Sequence, residues 1–396
     1  MSACRICSLR AIFRHIYTRV GYPLRSSSGN ALVVNLPRTA KRLLRRFGFV
    51  GSGPANRYEQ TVHLHPDGPT QGRVLVSYVL EPFLLPPGGT VSRDHTNQWE
   101  SQQIARTFVE RGFSVDVISY HNRKFRPVEQ YDYFIGSRTN FQRIADRLNA
   151  GCVKSAHLDT ANWIFNNAAA YQRLLGLQQR RGVTLHNIKM VEPNLAIENA
   201  DLATVLGTQV TVDTYAYANK PLHRIPISSP EVYDWDDEKR FDSVRNRFLW
   251  FGSSGFVHKG LDLVLEAFAR MPDMELVVCG PFKEEAAFLE AFHRELYETP
   301  NIEAVGWVDV ASDQFRAIAR SCAGLVYPSC SEGGGGGAIT CMHAGLIPIL
   351  SYETSVDVGS GGIILRENSI DEICSVVKDI AESPASELQD RSREAW

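Results

Sequence analysis

Two glycine-containing loops in the second half of the chain carry residues suited to binding an anion. The first runs from Gly252 to Gly260, includes Lys259, follows an apolar stretch and precedes a helical pattern. Backbone N–H groups at the start of a helix attract anions, and a lysine adds a full positive charge. The loop predicts a phosphate site, with an ordinary strand-to-helix loop as the alternative. It lacks the Gly-Lys-Ser/Thr sequence of a P-loop.

The second loop contains five consecutive glycines, Gly333 to Gly337, directly after Glu332. Glycine lets the backbone approach a ligand closely, and successive N–H groups form concavities that hold phosphate. The carboxylate of Glu332 could accept hydrogen bonds from sugar hydroxyls. A flexible low-complexity linker is the alternative, and it is disfavoured because the tract lies between a strand pattern and a helix pattern.

Strand and helix patterns alternate on both sides of these loops. Apolar runs predict strands at 248–251, 275–279, 302–305, 324–327, 347–350 and 362–365. Helical periodicity predicts helices at 261–270, 284–295, 313–320, 338–344 and 370–380. Such alternation is typical of a doubly wound parallel sheet, which binds ligands beyond the carboxyl ends of its strands.

The first half of the chain shows a similar pattern. A strand at 73–80, a loop with Gly88 and Gly89, a helix at 97–111 and a strand at 114–119 form one βαβ unit. Further short strands are predicted at 131–135, 153–157 and 202–206, followed by an exit segment at 224–228. The acidic, aperiodic stretch 229–246 indicates a linker. We therefore expect two Rossmann-like α/β domains facing a cleft, at 73–228 and 247–396.

The charge distribution marks a basic extension at the start of the chain. Of the 42 basic residues, eleven precede Glu59, the first of the 44 acidic residues. Residues 1–72 include two basic amphipathic stretches, 6–20 and 36–49, around a Ser/Gly-rich segment. An anionic membrane surface suits such a pattern. An organelle transit peptide and a solvated, partly disordered extension are the alternatives.

Composition limits the class of protein. The 396 residues are 44% hydrophobic and 22% charged, as in soluble globular proteins, and no apolar run is long enough to cross a membrane. Eight scattered cysteines indicate a reduced compartment. We expect a cytoplasmic protein, peripheral on the inner face of a membrane if the extension binds there. No metal cluster is predicted, because Cys4 and Cys7 lack a second ligand pair. A nucleic-acid partner is not predicted either.

As an ensemble, several stretches resemble the GT-B glycosyltransferases of the large retaining class, the family 4 type or group 1. The matching stretches of the second half are 251–268, 276–281, 301–306 and 327–348. The first half matches through Gly88-Gly89, 110–113 and 156–159. The resemblance implies sugar transfer with retention, from a nucleotide-sugar donor on the second domain to a glycan or lipid-linked acceptor on the first. No cofactor is expected, and no metal is expected because no metal cluster is evident in the sequence.

The resemblance also assigns roles to residues. Lys259 matches the residue that contacts the donor diphosphate, Glu332 matches one that contacts the donor sugar, and His157 matches a histidine near the sugar; these three are the catalytic candidates. For His157, a hydrogen-bonded strand-end histidine is the alternative. Gly88 and Gly89 match a loop near phosphate or acceptor. The donor-binding candidates are Ser253, Ser254, Lys259, Gly280, Glu332, Gly333, Gly334, Gly335, Gly336, Gly337 and Thr340.

The sequence departs from the family pattern in three places. The second glutamate of the family motif is replaced by Thr340. The family's arginine ahead of the lysine is missing, and Ser253 and Ser254 stand there. The chain ends at Trp396, at what resembles the start of the last helical region, so we expect a shortened domain or a fragment. A GT-B protein that only binds its ligand, or a nucleotide-sugar epimerase, is therefore kept as an alternative function.

Overall fold

The computed structural model describes residues 57–86, 88–93, 95–186 and 189–396. These residues fold into two α/β domains, each built on one sheet. The predicted amphipathic stretches 6–20 and 36–49 lie outside the described residues, so their proposed membrane contact stays a prediction.

The first sheet has seven strands in the order β1-β3-β2-β4-β5-β6-β7. All neighbours are parallel except β1, which pairs antiparallel with β3. The strands are β1 Thr61–Leu64, β2 Arg73–Tyr78, β3 Ser114–Ser119, β4 Tyr133–Gly136, β5 Val153–Leu158, β6 Leu202–Leu206 and β7 Leu222–Ile225. Because β3 lies on one side of β2 and β4 on the other, the strand order reverses at β2, and a crevice opens there.

The second sheet has six parallel strands in the order β10-β9-β8-β11-β12-β13. They are β8 Arg247–Phe251, β9 Glu275–Cys279, β10 Ile302–Gly306, β11 Gly324–Tyr327, β12 Ile347–Ser351 and β13 Ile363–Leu365. The order reverses between β8 and β11. The loop with Lys259 follows β8 and the glycine tract follows β11, so the two predicted anion loops meet at this reversal.

Helices cover both sheets. The described α-helices are α1 Thr96–Glu110, α2 Phe141–Ala145, α3 Trp163–Arg181, α4 Gln209–Asp213, α5 Phe241–Val244, α6 Leu261–Phe268, α7 Ala286–Ala291, α8 His293–Tyr297, α9 Asp313–Arg320, α10 Gly336–His343, α11 Ile370–Glu382 and α12 Ala385–Ala395. Asn162 caps the start of α3 by accepting from the Ile164 N–H, and Gly182 ends that helix in the left-handed conformation.

The predicted fold class, two Rossmann-like domains, is confirmed. The structure differs at several elements. Strand β1 lies within the predicted extension but joins the first sheet, and the predicted exit segment overlaps the end of the edge strand β7. The predicted linker 229–246 contains the short helix α5. The predicted helix 284–295 breaks into α7 and α8, and α3 was not predicted at all.

Helix α3 follows a strand of the first sheet but packs on the second domain. Leu177 is fully buried among core residues of that domain. Beside it, Arg180 donates to Asp262 at 2.7 Å, and Arg181 donates to Glu295 at 2.7 Å. Burying one leucine contributes about 1.5–3 kcal/mol, so this helix fastens the first domain to the second.

Candidate active site

A cavity of about 450 Å³ lies between the carboxyl ends of the two sheets. Residues of the second domain form one wall: Phe251, Gly252, Ser253, Lys259, Gly280, Glu332, the five glycines and Thr340. The first domain contributes the opposite wall, with Tyr78, His95, Thr96, Glu100, Asp159 and Lys189. The crevices at the two strand-order reversals therefore face a common space.

The carboxylate of Glu332 is held by three donors on one of its oxygens. Glu332 Oε1 accepts from Lys259 Nζ at 2.8 Å, from the Tyr327 hydroxyl at 3.0 Å and from Ser329 Oγ at 3.1 Å. The Lys259 ammonium also donates to the Tyr327 hydroxyl at 2.9 Å. This network fixes the orientation of the carboxylate, and Oε2 carries none of these three bonds.

Glu332 is charged although it is buried. Burial alone would raise the pKa of this carboxyl group, but the positive charges of Lys189 and Lys259 hold the pKa well below its usual value. Burial, followed by the charge of Glu332, raises the pKa of Tyr327 well above its usual value, so its hydroxyl stays a donor. The site therefore presents a fixed anion beside two cations at neutral pH.

His258 holds the segment that carries Glu332. Its Nε2 donates to the Ser331 carbonyl at 2.5 Å, and its own carbonyl accepts from the Cys330 N–H at 2.8 Å. Burial lowers the pKa of His258 to about 4. The ring is therefore neutral at pH 7 and acts as a structural clamp.

The stability of the protein should fall between pH 7 and pH 5 because of His258. The folded-state pKa of about 4 lies below the unfolded value near 6.5, so protonation favours the unfolded chain. We expect the free energy of unfolding to drop by about 2 kcal/mol over this interval. Urea unfolding at both pH values should show a smaller drop for His258→Gln, and equal drops in the two proteins would contradict the assignment.

The glycine tract offers unpaired N–H groups to the cavity. Gly335 donates to the Thr354 carbonyl at 3.1 Å, which anchors the tract just ahead of α10. Gly336 and Gly337 begin that helix and line the cavity. Among the backbone hydrogen bonds of the described residues, their N–H groups have no acceptor. A helix start with free donors binds anions.

The loop ahead of Lys259 uses its backbone donors differently. The N–H groups of Gly255 and Phe256 donate to the carboxylate of Glu285, which is buried there. A phosphate could reach these two donors only by displacing that carboxylate. The loop therefore contributes the Lys259 charge to the cavity, and the free N–H groups come from the glycine tract.

His157 lies behind the cavity wall. It is 1% exposed, and its Nδ1 is 3.0 Å from Thr204 Oγ1. Its ring centre is 5.0 Å from that of Tyr78, and its Nε2 is 3.8 Å from Glu100 Oε2. Tyr78 and Glu100 line the cavity, whereas His157 does not. Its catalytic role stays a prediction, and any action on a ligand would pass through these neighbours.

The other predicted site residues divide into two groups. Ser253, Gly280 and Thr340 line the cavity. Thr340 Oγ1 donates to the Gly336 carbonyl at 3.0 Å, one helical turn back. Residues away from the cavity lining are Ser254, Gly88 and Gly89. In the loop between β2 and α1, the Gly89 N–H donates to the Pro86 carbonyl at 2.8 Å and closes an exposed turn.

Sequence reasoning missed several cavity residues, among them His95 and Lys189. His95 caps the start of α1 by accepting from the Asn97 N–H, and partial desolvation by the cleft walls lowers its pKa although the residue is exposed at the cleft mouth. Its signal was a polar residue just before a helix, a weak cue for histidine. Lys189 lies in an irregular segment after α3, where no pattern singles it out, yet its Nζ is 3.7 Å from Glu332 Oε2.

Residues 245–383 match the family model described as glycosyl transferases group 1. The carboxyl-terminal domain is a group 1 glycosyltransferase domain. The match confirms the predicted resemblance to group 1 glycosyltransferases, and this protein is an enzyme, a glycosyltransferase. The retaining family 4 type stays a prediction. No curated protein matches the sequence.

Several solved structures align with this chain. Sucrose-phosphate synthase from Thermosynechococcus elongatus aligns with a TM-score of 0.56 and 14% identity, covering 82% of this chain and 93% of that one. Anabaena HepE, in complex with UDP and glucose, gives 0.48 and 12%, covering 82% and 95%. A TarM variant from S. aureus gives 0.47 and 10%, covering 66% of this chain and 51% of TarM, about half its length. The glycosyltransferase has the GT-B fold.

The described residues contain neither a candidate membrane span nor a candidate metal cluster. No helix in those ranges has the length and apolar character that a membrane span requires. In the same part of the chain, no group of three or more His, Cys, Asp or Glu side chains is arranged to hold a metal ion.

Proposed function

We propose that this glycosyltransferase moves a sugar from a nucleotide-sugar donor to a hydroxyl group of a glycan or lipid-linked glycan, with retained configuration. The observation that carries the proposal is the Glu332 carboxylate, fixed by Lys259 and Tyr327 inside a cavity. The free N–H groups of Gly336 and Gly337 open into the same cavity. Retention and the acceptor class follow from the family resemblance.

The second domain supplies groups for each part of the donor. Lys259 and the N–H groups of Gly336 and Gly337 stabilise negative charge as it develops on the leaving diphosphate. Glu332 accepts hydrogen bonds from the sugar hydroxyls and orients the ring. Trp307, which is 60% exposed and lines the cavity, offers a flat face on which a nucleobase can stack.

In this reaction the anomeric carbon exchanges its bond to a phosphate oxygen for a bond to the acceptor oxygen. The acceptor's proton leaves with the nucleoside diphosphate. The acceptor lies on the first-domain wall, beside His95, Glu100 and Asp159. The basic extension 1–72 supports a lipid-linked acceptor at the cytoplasmic face of a membrane, because its Arg-rich amphipathic stretches suit an anionic surface.

A panel of nucleotide sugars tests the proposal. We expect the full chain to release nucleoside diphosphate from one donor, slowly alone and faster with a cell-extract glycan fraction as acceptor. The readout is the nucleoside diphosphate formed, separated by chromatography. No release from any donor, with or without acceptor, would reject sugar transfer. Interconversion of the donor sugar without release would instead indicate the epimerase.

A chain of this GT-B type that binds its donor but has lost turnover is the second candidate. Two observations favour it. The Thr340 hydroxyl donates its hydrogen bond to the Gly336 carbonyl, and His157 lies outside the cavity lining. Such a protein would bind a nucleotide sugar yet leave it intact in the same panel, so the two functions give different results.

A further inference from the structure

Lys189 reaches the cavity from the segment that connects β5 and β6 of the first sheet in the sequence. Its Nζ is 3.7 Å from Glu332 Oε2, and its side chain is 45% exposed. The stem of the side chain packs on the loop ahead of Lys259: its Cβ and Cδ lie 3.2 Å from the position that a Cβ on Gly255 would occupy. The ammonium group therefore sits beside both predicted anion loops.

Helix α3 fixes the position of this lysine. Asn166 Nδ2 donates to the Lys189 carbonyl at 3.4 Å. Asn167 forms two hydrogen bonds of 2.9 Å with Val191, one to its N–H and one to its carbonyl. The helix is itself attached to the second domain, where Arg173 donates to the Pro328 carbonyl at 2.9 Å. Lys189 is thus held relative to the Glu332 segment despite its place in the sequence.

The charges of the site leave one cation without a matching anion. Two of the three Lys259 N–H donors bond the Glu332 carboxylate and the Tyr327 hydroxyl. The distance of 3.7 Å between Lys189 Nζ and Glu332 Oε2 is longer than a hydrogen bond. The N–H donors of Lys189 therefore form no hydrogen bond with that carboxylate. Two ammonium groups thus face one carboxylate, and a bound anion would relieve their mutual repulsion.

The surrounding groups fit this interpretation. Partial desolvation between the cleft walls, followed by the charge of Lys259, lowers the pKa of Lys189 to about 8, although the side chain is partly exposed and the charge of Glu332 opposes the shift. The nearby carboxylate of Asp159 is paired with Arg138. A phosphate placed next to Lys189 would therefore meet a mostly protonated amine whose repulsive neighbour it also neutralises.

We infer that Lys189 is the second cation for the donor diphosphate, in place of the arginine that is absent where Ser253 and Ser254 stand. The inference rests on the proposed function, because it requires a nucleoside diphosphate to occupy the cavity. Lys189 then binds phosphate beside Lys259 and contributes to stabilising the leaving group.

Nucleoside diphosphate binding tests the inference. The full chain is titrated calorimetrically with UDP, ADP and GDP, and the tightest of these is then measured on Lys189→Met. We expect about tenfold weaker binding or more, as for loss of a charged hydrogen-bond donor. The matching nucleoside, measured by displacement, should bind within about threefold of its wild-type affinity, because it carries no phosphate.

Two further variants control the experiment. Lys378→Met removes an exposed lysine on α11 and should leave diphosphate affinity unchanged. Ser253→Arg, added to Lys189→Met, places a cation on an exposed cavity position and should restore most of the lost affinity. Restoration would show that charge near the phosphate is what the lysine provides.

The other outcomes overturn the inference in distinguishable ways. Unchanged diphosphate affinity in Lys189→Met would exclude contact with phosphate. Equal weakening of nucleoside and nucleoside diphosphate would show that Lys189 only supports the shape of the cavity. If none of the three nucleoside diphosphates binds the wild-type chain, the proposed function fails and the inference fails with it.

Discussion

Replacing Glu332 with glutamine should reduce sugar transfer by on the order of 100-fold or more, the range seen when one fixed polar group is removed from an active site. The amide keeps the shape of the side chain but loses the charge that balances Lys259 and Lys189. It also presents an N–H₂ group where Lys259, Tyr327 and Ser329 now donate. The rate of nucleoside diphosphate release under saturating donor measures the effect.

The same substitution should destabilise the fold, and the two effects have to be separated. Removing one partner of a buried ion pair costs about 3–5 kcal/mol, because the remaining charge is left uncompensated. Rates should therefore be compared at a temperature where circular dichroism shows the variant to be folded. Glu382→Gln, on the exposed end of α11, is the matched control. A folded Glu332→Gln protein with a rate within threefold of wild type would contradict the role of the carboxylate.

Gly333→Ala should prevent the two domains from meeting as they do now. A Cβ at this position would lie 2.3 Å from the Asp159 carbonyl oxygen and 2.5 Å from Thr160 Cα, both backbone atoms of the first domain. Neither can move like a flexible side chain, so the walls of the cavity must separate. A displacement of about 1 Å in a reacting pair costs roughly 100-fold in rate, and we expect a loss of that size.

Scattering and activity together test this effect. The radius of gyration should increase for Gly333→Ala, and the melting temperature should fall, because overpacking costs about 1–3 kcal/mol. Gly68→Ala is the control, since its Cβ would meet no atom within 4 Å. A Gly333→Ala protein with wild-type compactness and wild-type rate would show that the contact between Gly333 and Asp159 is not required.

The second domain could be predicted well because its signals are local. Strand β11, the glycine tract and α10 follow one another along the chain, so the position of Glu332 at a strand end could be deduced from a short stretch. The loop with Lys259 follows β8 in the same way. In parallel sheets such loops meet wherever the strand order reverses, and both loops indeed line one cavity.

The first domain's contribution could not be predicted, because it depends on contacts between distant segments. Lys189 reaches Glu332 only because α3 packs on the second domain. The apolar residues of that helix contact strands and helices that come much later in the sequence. His157 was selected by resemblance, but its place behind Tyr78 and Glu100 depends on the packing of these two side chains against the end of β5. Likewise, nothing near Gly255 indicates that Glu285 takes its N–H group.

The docking of α3 also has a consequence for biosynthesis. A ribosome releases this helix after β5 but before any strand of the second sheet, so Leu177 emerges without the core residues that bury it. Until the carboxyl-terminal half has been translated, the face of α3 that carries Leu177 therefore has no core to pack on. The two halves of this protein are thus expected to mature together, and the chain depends most on chaperones during the interval between them.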